Sequence, residues 1–380
     1  MDMNTIERSR CAVTGKTDLE PLYNFRSFPV FMGCIDQVVE LDLRENMSWS
    51  ISRSSGLIQL NKLLPLEVLY PESHRSGCIG DLWNSHHKDF ANFLSKASPA
   101  AVIEIGGAHG ILAKEYKQFG KIPWTILEPN PAPVDGCDAR FIKGFFDDKF
   151  LYSDTFDTVV HSHVFEHIYE PVQFMRHLAG FIGKGKRLVF SLPNMKVMLE
   201  RKYNNCLNFE HTVFLTEPYV EFLLAEFGFS IMSKEYFKED HSIFYLAVRD
   251  PSVKPMKLPN SLYEKNRQLF MDYVEYHDEL ILDLNRKING SNQPVYLFGA
   301  HVFSQCLIAF GLDTSRIVGL LDNDPEKHDK RLYGTHLMVQ SPKILRQAMN
   351  PIVILRAGVY NNEIKSDIFK NINSETIFLE

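Results

Sequence analysis

The residues of this chain with the clearest chemical purpose are an acid and three glycines in Val102-Ile-Glu-Ile-Gly-Gly-Ala-His-Gly110. Glu104 precedes Gly106, Gly107 and Gly110 at a spacing that differs from the G-x-G-x-x-G of dinucleotide sites. Glycine lets the backbone bend sharply and approach a bound ligand. A pyrophosphate would be repelled by the Glu104 carboxylate, whereas a ligand with an ammonium group would not. Further on, Trp124-Thr-Ile-Leu-Glu-Pro-Asn130 closes on Glu128 and Pro129, and an acid there can accept both hydroxyls of a ribose. S-adenosylmethionine carries an ammonium, a sulfonium and a ribose but no phosphate, so it is the cofactor this set implies. Phe141-Ile-Lys-Gly-Phe-Phe-Asp147 offers aromatic faces for an adenine and Asp147 for its exocyclic amine.

A second group is suited to moving a proton. In Asn208-Phe-Glu-His211, a histidine follows a carboxylate; Glu210 would set its tautomer and raise its basicity near neutral pH. Val164-Phe-Glu-His-Ile168 supplies His167, expected beside the substrate, and His163 just before it is expected near the methyl donor. His161 and His163 would share a strand face, but the group lacks H-E-x-x-H spacing on a helix, and no metal is expected there.

These residues need a framework of strands that end where helices begin. The run Ala100 to Ile105 reads as a buried strand, and Ile111-Leu-Ala-Lys-Glu-Tyr116 as the helix after the glycine turn. From Ala100 to about Asp250 the pattern alternates strand and helix, the signature of a parallel sheet with crossover helices. Gly80 to Lys96 reads as an amphipathic helix leading into it, with His86 and His87 as packed or solvated positions. After a proline-rich linker, Pro251 to Pro259, a long helix from Leu262 to about Ile288 precedes a second α/β unit. There Val295-Tyr-Leu-Phe-Gly299 and a strand closing on Asp322 repeat the glycine-then-acid layout, which suits a second nucleotide-like ligand or a scaffold of the same shape.

Residues 8–75 read as loop-rich. Cys11-Ala-Val-Thr-Gly15 and Ser52-Arg-Ser-Ser-Gly56 look like zinc-ribbon knuckles with most cysteines replaced. Cys11, Thr14, Ser52 and Ser55 would hold the ligand positions, and hydroxyls replace thiolate poorly, so the module is expected without zinc.

With 380 residues, 45% hydrophobic and 23% charged, the chain has the composition of a soluble globular protein of two or three domains. A net charge of -6 with no basic run argues against nucleic-acid binding. No apolar stretch reaches membrane-spanning length, and Met1 to Arg10 lacks the features of a signal peptide. The six cysteines are scattered without a C-x-x-C pair, which reads as a cytoplasmic protein with free thiols. A monomer or weak homo-oligomer is expected.

The order of these stretches resembles the sugar C-methyltransferases, which act on nucleotide-linked deoxysugars. The likeness rests on the degenerate knuckles before Gly56-Leu-Ile-Gln-Leu60, the Glu104–Gly110 motif, and Val295 to Pro342 with Leu-Leu-Asp-Asn-Asp-Pro325 and Tyr-Gly-Thr335. It implies three parts: a zinc-ribbon-like lobe over 1–75, a class I methyl-donor domain over 76–250, and a linker helix with a Rossmann-like substrate lobe over 251–380. It further implies that Glu210-His211 matches the family's base, that His167 matches a second active-site histidine, and that the nucleotide-linked sugar lies near Gly299 and Asp322. Two positions depart from the pattern besides the zinc ligands. Asn208 replaces a tyrosine, and His74 an aromatic residue, both expected at the substrate. Methylation of a sugar hydroxyl, and a non-catalytic nucleotide-sugar-binding scaffold, are the competing readings.

Overall fold

The computed structural model describes residues 5–69 and 80–380. The N-terminal part is less loop-rich than its sequence suggests. Strands β1 (Leu19–Pro29), β2 (Arg44–Ser52) and β3 (Ile58–Leu60) form an antiparallel sheet in the order β1-β2-β3. The register of β1 against β2 shifts twice, between Pro21 and Tyr23 and between Phe25 and Phe28, and each bulge breaks the period-two alternation that marks a strand in sequence. The two knuckle-like turns meet where Cys11 Sγ and Ser55 Oγ lie 3.2 Å apart.

Helix α1 (Asp81–Ser95) then leads into a seven-stranded sheet. Its chain order is β4 (Val102–Ile105), α2 (Ile111–Tyr116), β5 (Trp124–Glu128), β6 (Arg140–Lys143), β7 (Thr158–Ser162), α3 (Pro171–Phe181), β8 (Arg187–Pro193), α4 (Met195–Glu200), α5 (Glu217–Glu226), β9 (Phe229–Phe237) and β10 (Ser242–Arg249). The spatial order is β9-β10-β8-β7-β4-β5-β6. The pairings from β8 to β6 are parallel, as expected, but β10 runs antiparallel to both β8 and β9. A single helical turn, Lys238–His241, links β9 to β10, too short for the crossover a parallel pair needs. Strand order reverses between β4 and β7, and ligands of open α/β sheets bind beyond the carboxyl ends at such a point. Helix α1 buries Phe90, Phe93 and Leu94 against Val160 and Val189 of the sheet.

Helix α6 (Leu262–Asn289) is 28 residues long and carries the chain to a five-stranded sheet. That sheet consists of β11 (Val295–Phe298), β12 (Ile317–Leu321), β13 (Val339–Gln340), β14 (Ile352–Leu355) and β15 (Ile377–Leu379), all parallel, in the order β13-β12-β11-β14-β15. Helix α7 (Val302–Ala309) follows β11. The architecture is mixed α/β with a class I methyltransferase-type central sheet. No described helix is long and apolar enough to cross a membrane.

Candidate active site

The carboxyl end of β4 turns through Gly106 at φ 69° and Ala108 at φ 41° before Gly110 at φ 71° starts α2. A non-glycine residue in the left-handed region is strained, and such strain gathers at sites that bind or react. The packing shows why small residues are needed here. A Cβ at Gly107 would lie 2.7 Å from Glu104 Cδ and 2.8 Å from Ile126 Cγ2, and one at Gly110 would collide with Cys137 Sγ. The carboxylate of Glu128, at the end of β5, accepts the backbone N–H of Ala108 at 3.0 Å and of Asn130 at 2.9 Å. Gly106, Gly107, Gly110, Glu128 and Pro129 are therefore brought together along one edge.

Glu104 lies beneath this turn, 3% exposed, where Trp124 Nε1 donates to its Oε2 at 2.8 Å. Burial, with the nearby Glu128 charge, pushes its carboxyl up to about 7 although the Trp124 bond opposes the shift. The acid thus acts from below the loop, and at neutral pH its charge depends on what sits above it. Asp147 is exposed at the far end of the edge, its carboxylate accepting the N–H of Lys149 at 3.0 Å. Of the aromatic faces in that stretch, Phe146 packs against His177 and Phe181, while Phe145 is 55% exposed.

The proton-handling group forms where the loop after β7 meets the loop before α5. Thr212 N–H donates to Glu166 O at 3.2 Å, and β3 pins the second loop through Leu60 N–H to Thr212 O at 2.9 Å and Phe214 N–H to Ile58 O at 2.9 Å. His167 and His211 face each other with ring centroids 5.4 Å apart. His167 Nδ1 lies 3.1 Å from Glu210 O, and His211 Nδ1 3.2 Å from Cys206 O. If each Nδ1 carries the proton and donates to its carbonyl, each Nε2 keeps a lone pair; for His211 that proton goes to Cys206 O in preference to a bond from Asn208 Nδ2, 3.2 Å from the same Nδ1. Asn208 is 2% exposed and organises the turn, its Oδ1 accepting the N–H groups of Glu210 at 2.8 Å and His211 at 2.9 Å.

Two details correct the sequence reading. Glu210 does not orient His211; its carboxylate turns to His167, 3.9 Å from Nδ1. The histidine is also shifted down, not up: burial lowers the pKa of His211, and the acid that opposes this is Glu166. A carboxylate adjacent in sequence points away when its backbone turns, whereas one from another loop points in. Burial likewise takes His167 down to about 4. Glu166 itself is 1% exposed, with Oε1 3.2 Å from His163 Nδ1 and 3.7 Å from His167 Nε2, and burial raises its pKa. The sequence displayed it between two histidines, but nothing in the spacing said that it faces both.

His163, at φ 52°, sits behind this group rather than in it. Its Nε2 lies 2.9 Å from Ser242 Oγ, and its ring packs against Trp83, His86 and His241. His161 points to the other face of the sheet, stacked on Phe190 at 4.9 Å, so strand alternation does not bring it to His163. Two side-chain groups among the described residues have ligand atoms within 4.8 Å of one another, as a metal would require: Glu166 with His167 and His211, and His86 with His163 and His241.

In the C-terminal sheet, Gly299 takes φ 104° and donates its N–H to Leu321 O at 2.8 Å. Asp322 accepts the N–H of Ala300 at 2.9 Å and pairs with Lys327 at 3.0 Å. His74 lies outside the described residues.

Residues 84–234 match the family described as methyltransferase domain. No curated protein matches the chain. Among solved structures, magnesium protoporphyrin IX methyltransferase from Synechocystis PCC 6803 with bound SAH is 18% identical, with a TM-score of 0.36 over 45% of this chain and 86% of that one. The N-methyltransferase NodS from Bradyrhizobium japonicum WM9 is 14% identical, with a TM-score of 0.35 over 44% of this chain and 97% of that one. The domain match spans the glycine turn, Glu128 and the His167–His211 pair. Over residues 84–234 the chain therefore carries an S-adenosylmethionine-dependent methyltransferase domain.

Proposed function

We propose that the protein transfers a methyl group to a carbon next to the ketone of a nucleotide-linked deoxysugar, with 1–75, 76–250 and 251–380 as knuckle lobe, donor domain and substrate lobe. The observation that supports this reading is the repeated edge: a carboxylate ties a glycine turn both at Glu128–Ala108 and at Asp322–Ala300. The first edge suits the donor's ribose and the second a nucleotide on the acceptor.

His211 takes the proton from the carbon. Its lowered pKa keeps it neutral at physiological pH, with Nε2 as acceptor, and Glu166 stabilises the imidazolium that forms. His74, or His167 in the tautomer that carries its proton on Nε2 rather than Nδ1, donates to the enolate oxygen. The enolate then attacks the sulfonium methyl in line, and the leaving group is a neutral thioether that needs no acid. The donor arrives activated, so alignment and a partner for the enolate carry the catalysis.

The test is incubation with 4-keto deoxysugar nucleotides in deuterated water, with and without S-adenosylmethionine. Deuterium next to the ketone without donor, and a C-methyl product with it, are expected. An O-methyl product would replace this reading by hydroxyl methylation, and absence of donor binding would point to a scaffold. Exchange unaltered in His211→Ala would remove the base assignment.

A further inference from the structure

We propose that His86, His163 and His241 bind a divalent transition-metal ion such as Zn²⁺ or Co²⁺. They come from three elements: the middle of α1, the strained residue after β7, and the turn between β9 and β10. One ring nitrogen of each lies within 4.8 Å of those of the other two, and the ring centroids are 5.3 Å, 5.5 Å and 5.9 Å apart.

Each imidazole has one nitrogen beside an outer polar group, hydrogen-bonded for His86 and His241 and at ion-pair distance for His163. His86 Nε2 lies 3.0 Å from Ser191 Oγ, His241 Nδ1 lies 2.6 Å from Ser242 Oγ, and His163 Nδ1 lies 3.2 Å from Glu166 Oε1. A metal-bound histidine ordinarily donates its second N–H to just such a hydroxyl or carboxylate. With those protons in place, His86 Nδ1 and His241 Nε2 are left with lone pairs. His163 Nε2 now meets the Ser242 hydroxyl at 2.9 Å, and a turn of the His163 ring away from Ser242, whose Oγ stays on His241 Nδ1, releases it.

An independent sign is His86 itself. It is 0% exposed, and its Nδ1 has no hydrogen-bond partner. A buried polar atom without a partner costs about 1–3 kcal/mol unless something satisfies it. Trp83 and Phe237 pack against the imidazoles, giving a shell that excludes water from ligand bonds. Imidazole nitrogens select Zn²⁺, Co²⁺, Ni²⁺ or Cu²⁺, whereas Mg²⁺ and Ca²⁺ require oxygen. Three protein ligands leave a fourth position open. Bound here, the ion clips α1 to the carboxyl end of the sheet and fixes His163 against Glu166, the carboxylate that faces His167 and His211. The pairing of His161 with His163, on which the sequence expected no metal, is not the pairing the fold makes.

The experiment uses the full chain stripped with a chelator and titrated with Co²⁺, followed by visible absorption, and with Zn²⁺ in competition with a chromophoric chelator. One equivalent with the intense absorption of tetrahedral Co²⁺ is expected. His241→Gln and His86→Gln should weaken binding by about 100-fold or more, and Ser242→Ala by about 10-fold. His211→Ala should leave it unchanged, which separates this site from the Glu166–His167–His211 group. His241 is only partly buried, so His241→Gln tests the proposal even where His86→Gln fails to fold. Absence of binding, binding that survives His241→Gln, or binding lost in His211→Ala would each overturn it. None of these readouts depends on methyl transfer, so failure of the sugar assignment leaves the metal test intact.

Discussion

The Glu128 carboxylate accepts the Ala108 backbone N–H at 3.0 Å, so the acid expected to hold a ribose already holds the turn that shapes the donor cleft. Its loss should therefore cost twice, once in ligand contacts and once in loop geometry. Glu128→Ala is expected to weaken S-adenosylhomocysteine binding by about 2–3 kcal/mol, roughly 30- to 150-fold. Titration calorimetry reads this directly. Asp322→Ala, at the equivalent place in the other sheet, should change the same affinity less than about twofold; an equal loss would mean that the two edges are not separate sites.

Gly107 tests sterics alone, because its φ is not left-handed and a Cβ would meet the Glu104 carboxyl carbon at 2.7 Å. Gly107→Ala should destabilise the protein by about 1–3 kcal/mol, the usual range for overpacking. Ile126→Val in the same chain removes Cδ1 but keeps Cγ2, the atom of the second contact at 2.8 Å, and so should return none of that loss. Urea midpoints of the three proteins would show whether the collision or some other effect is responsible.

Glu104 gives donor binding a pH dependence whose sign can be worked out. Its carboxyl, raised to about 7, is mostly protonated below that pH and ionised above it. A ligand carrying positive charge favours the ionised form, so affinity should strengthen as pH rises from 6 to 8. Glu104→Gln should flatten this rise. Trp124→Phe removes a hydrogen bond that favours the charged form, and should move the rise to higher pH.

Buried histidines set the acid limit of stability. Burial lowers His161 to about 3, and His167 and His277 to about 4, against an unfolded value of 6.5. The unfolded chain therefore takes up protons first, and stability that is full above about pH 6.5 should fall as the pH drops toward 4. His161→Phe, which keeps a ring on Phe190, should lessen the slope of urea midpoint against pH. An unchanged slope would assign the acid limit to other groups.

What could be read in the sequence follows from how local each signal is. The βα turn at Gly106–Gly110 and the carboxyl-terminal acid Glu128 are fixed by neighbours in the chain, and the fold places them together. The bulged β1 was illegible because its alternation slips twice. The β9–β10 hairpin lost its antiparallel sense because apolar runs do not reveal direction. Glu166 and Glu210 show the limit for the site. Both stand beside a histidine in sequence, yet Glu210 turns to His167 of another loop, and Glu166 faces that same His167 and His163. The meeting of His86, His163 and His241 depends on tertiary packing alone, and nothing in their spacing announces it.

The pairing of Asp42 with Arg331 has a consequence for how the chain is made. Arg331 holds both Asp42 oxygens, at 2.5 and 2.7 Å, across 289 positions of sequence, and the strand pair Cys34–Ile35 with Arg331–Leu332 lies beside it. The Asp42 side chain is 1% exposed, a charge that cannot stay buried without its partner. During synthesis the early sheet must wait for the last part of the chain to emerge before this seam can close. Closure over so long a separation is slow. Refolding should thus show a late phase that Asp42→Asn alters, while the central sheet has already formed.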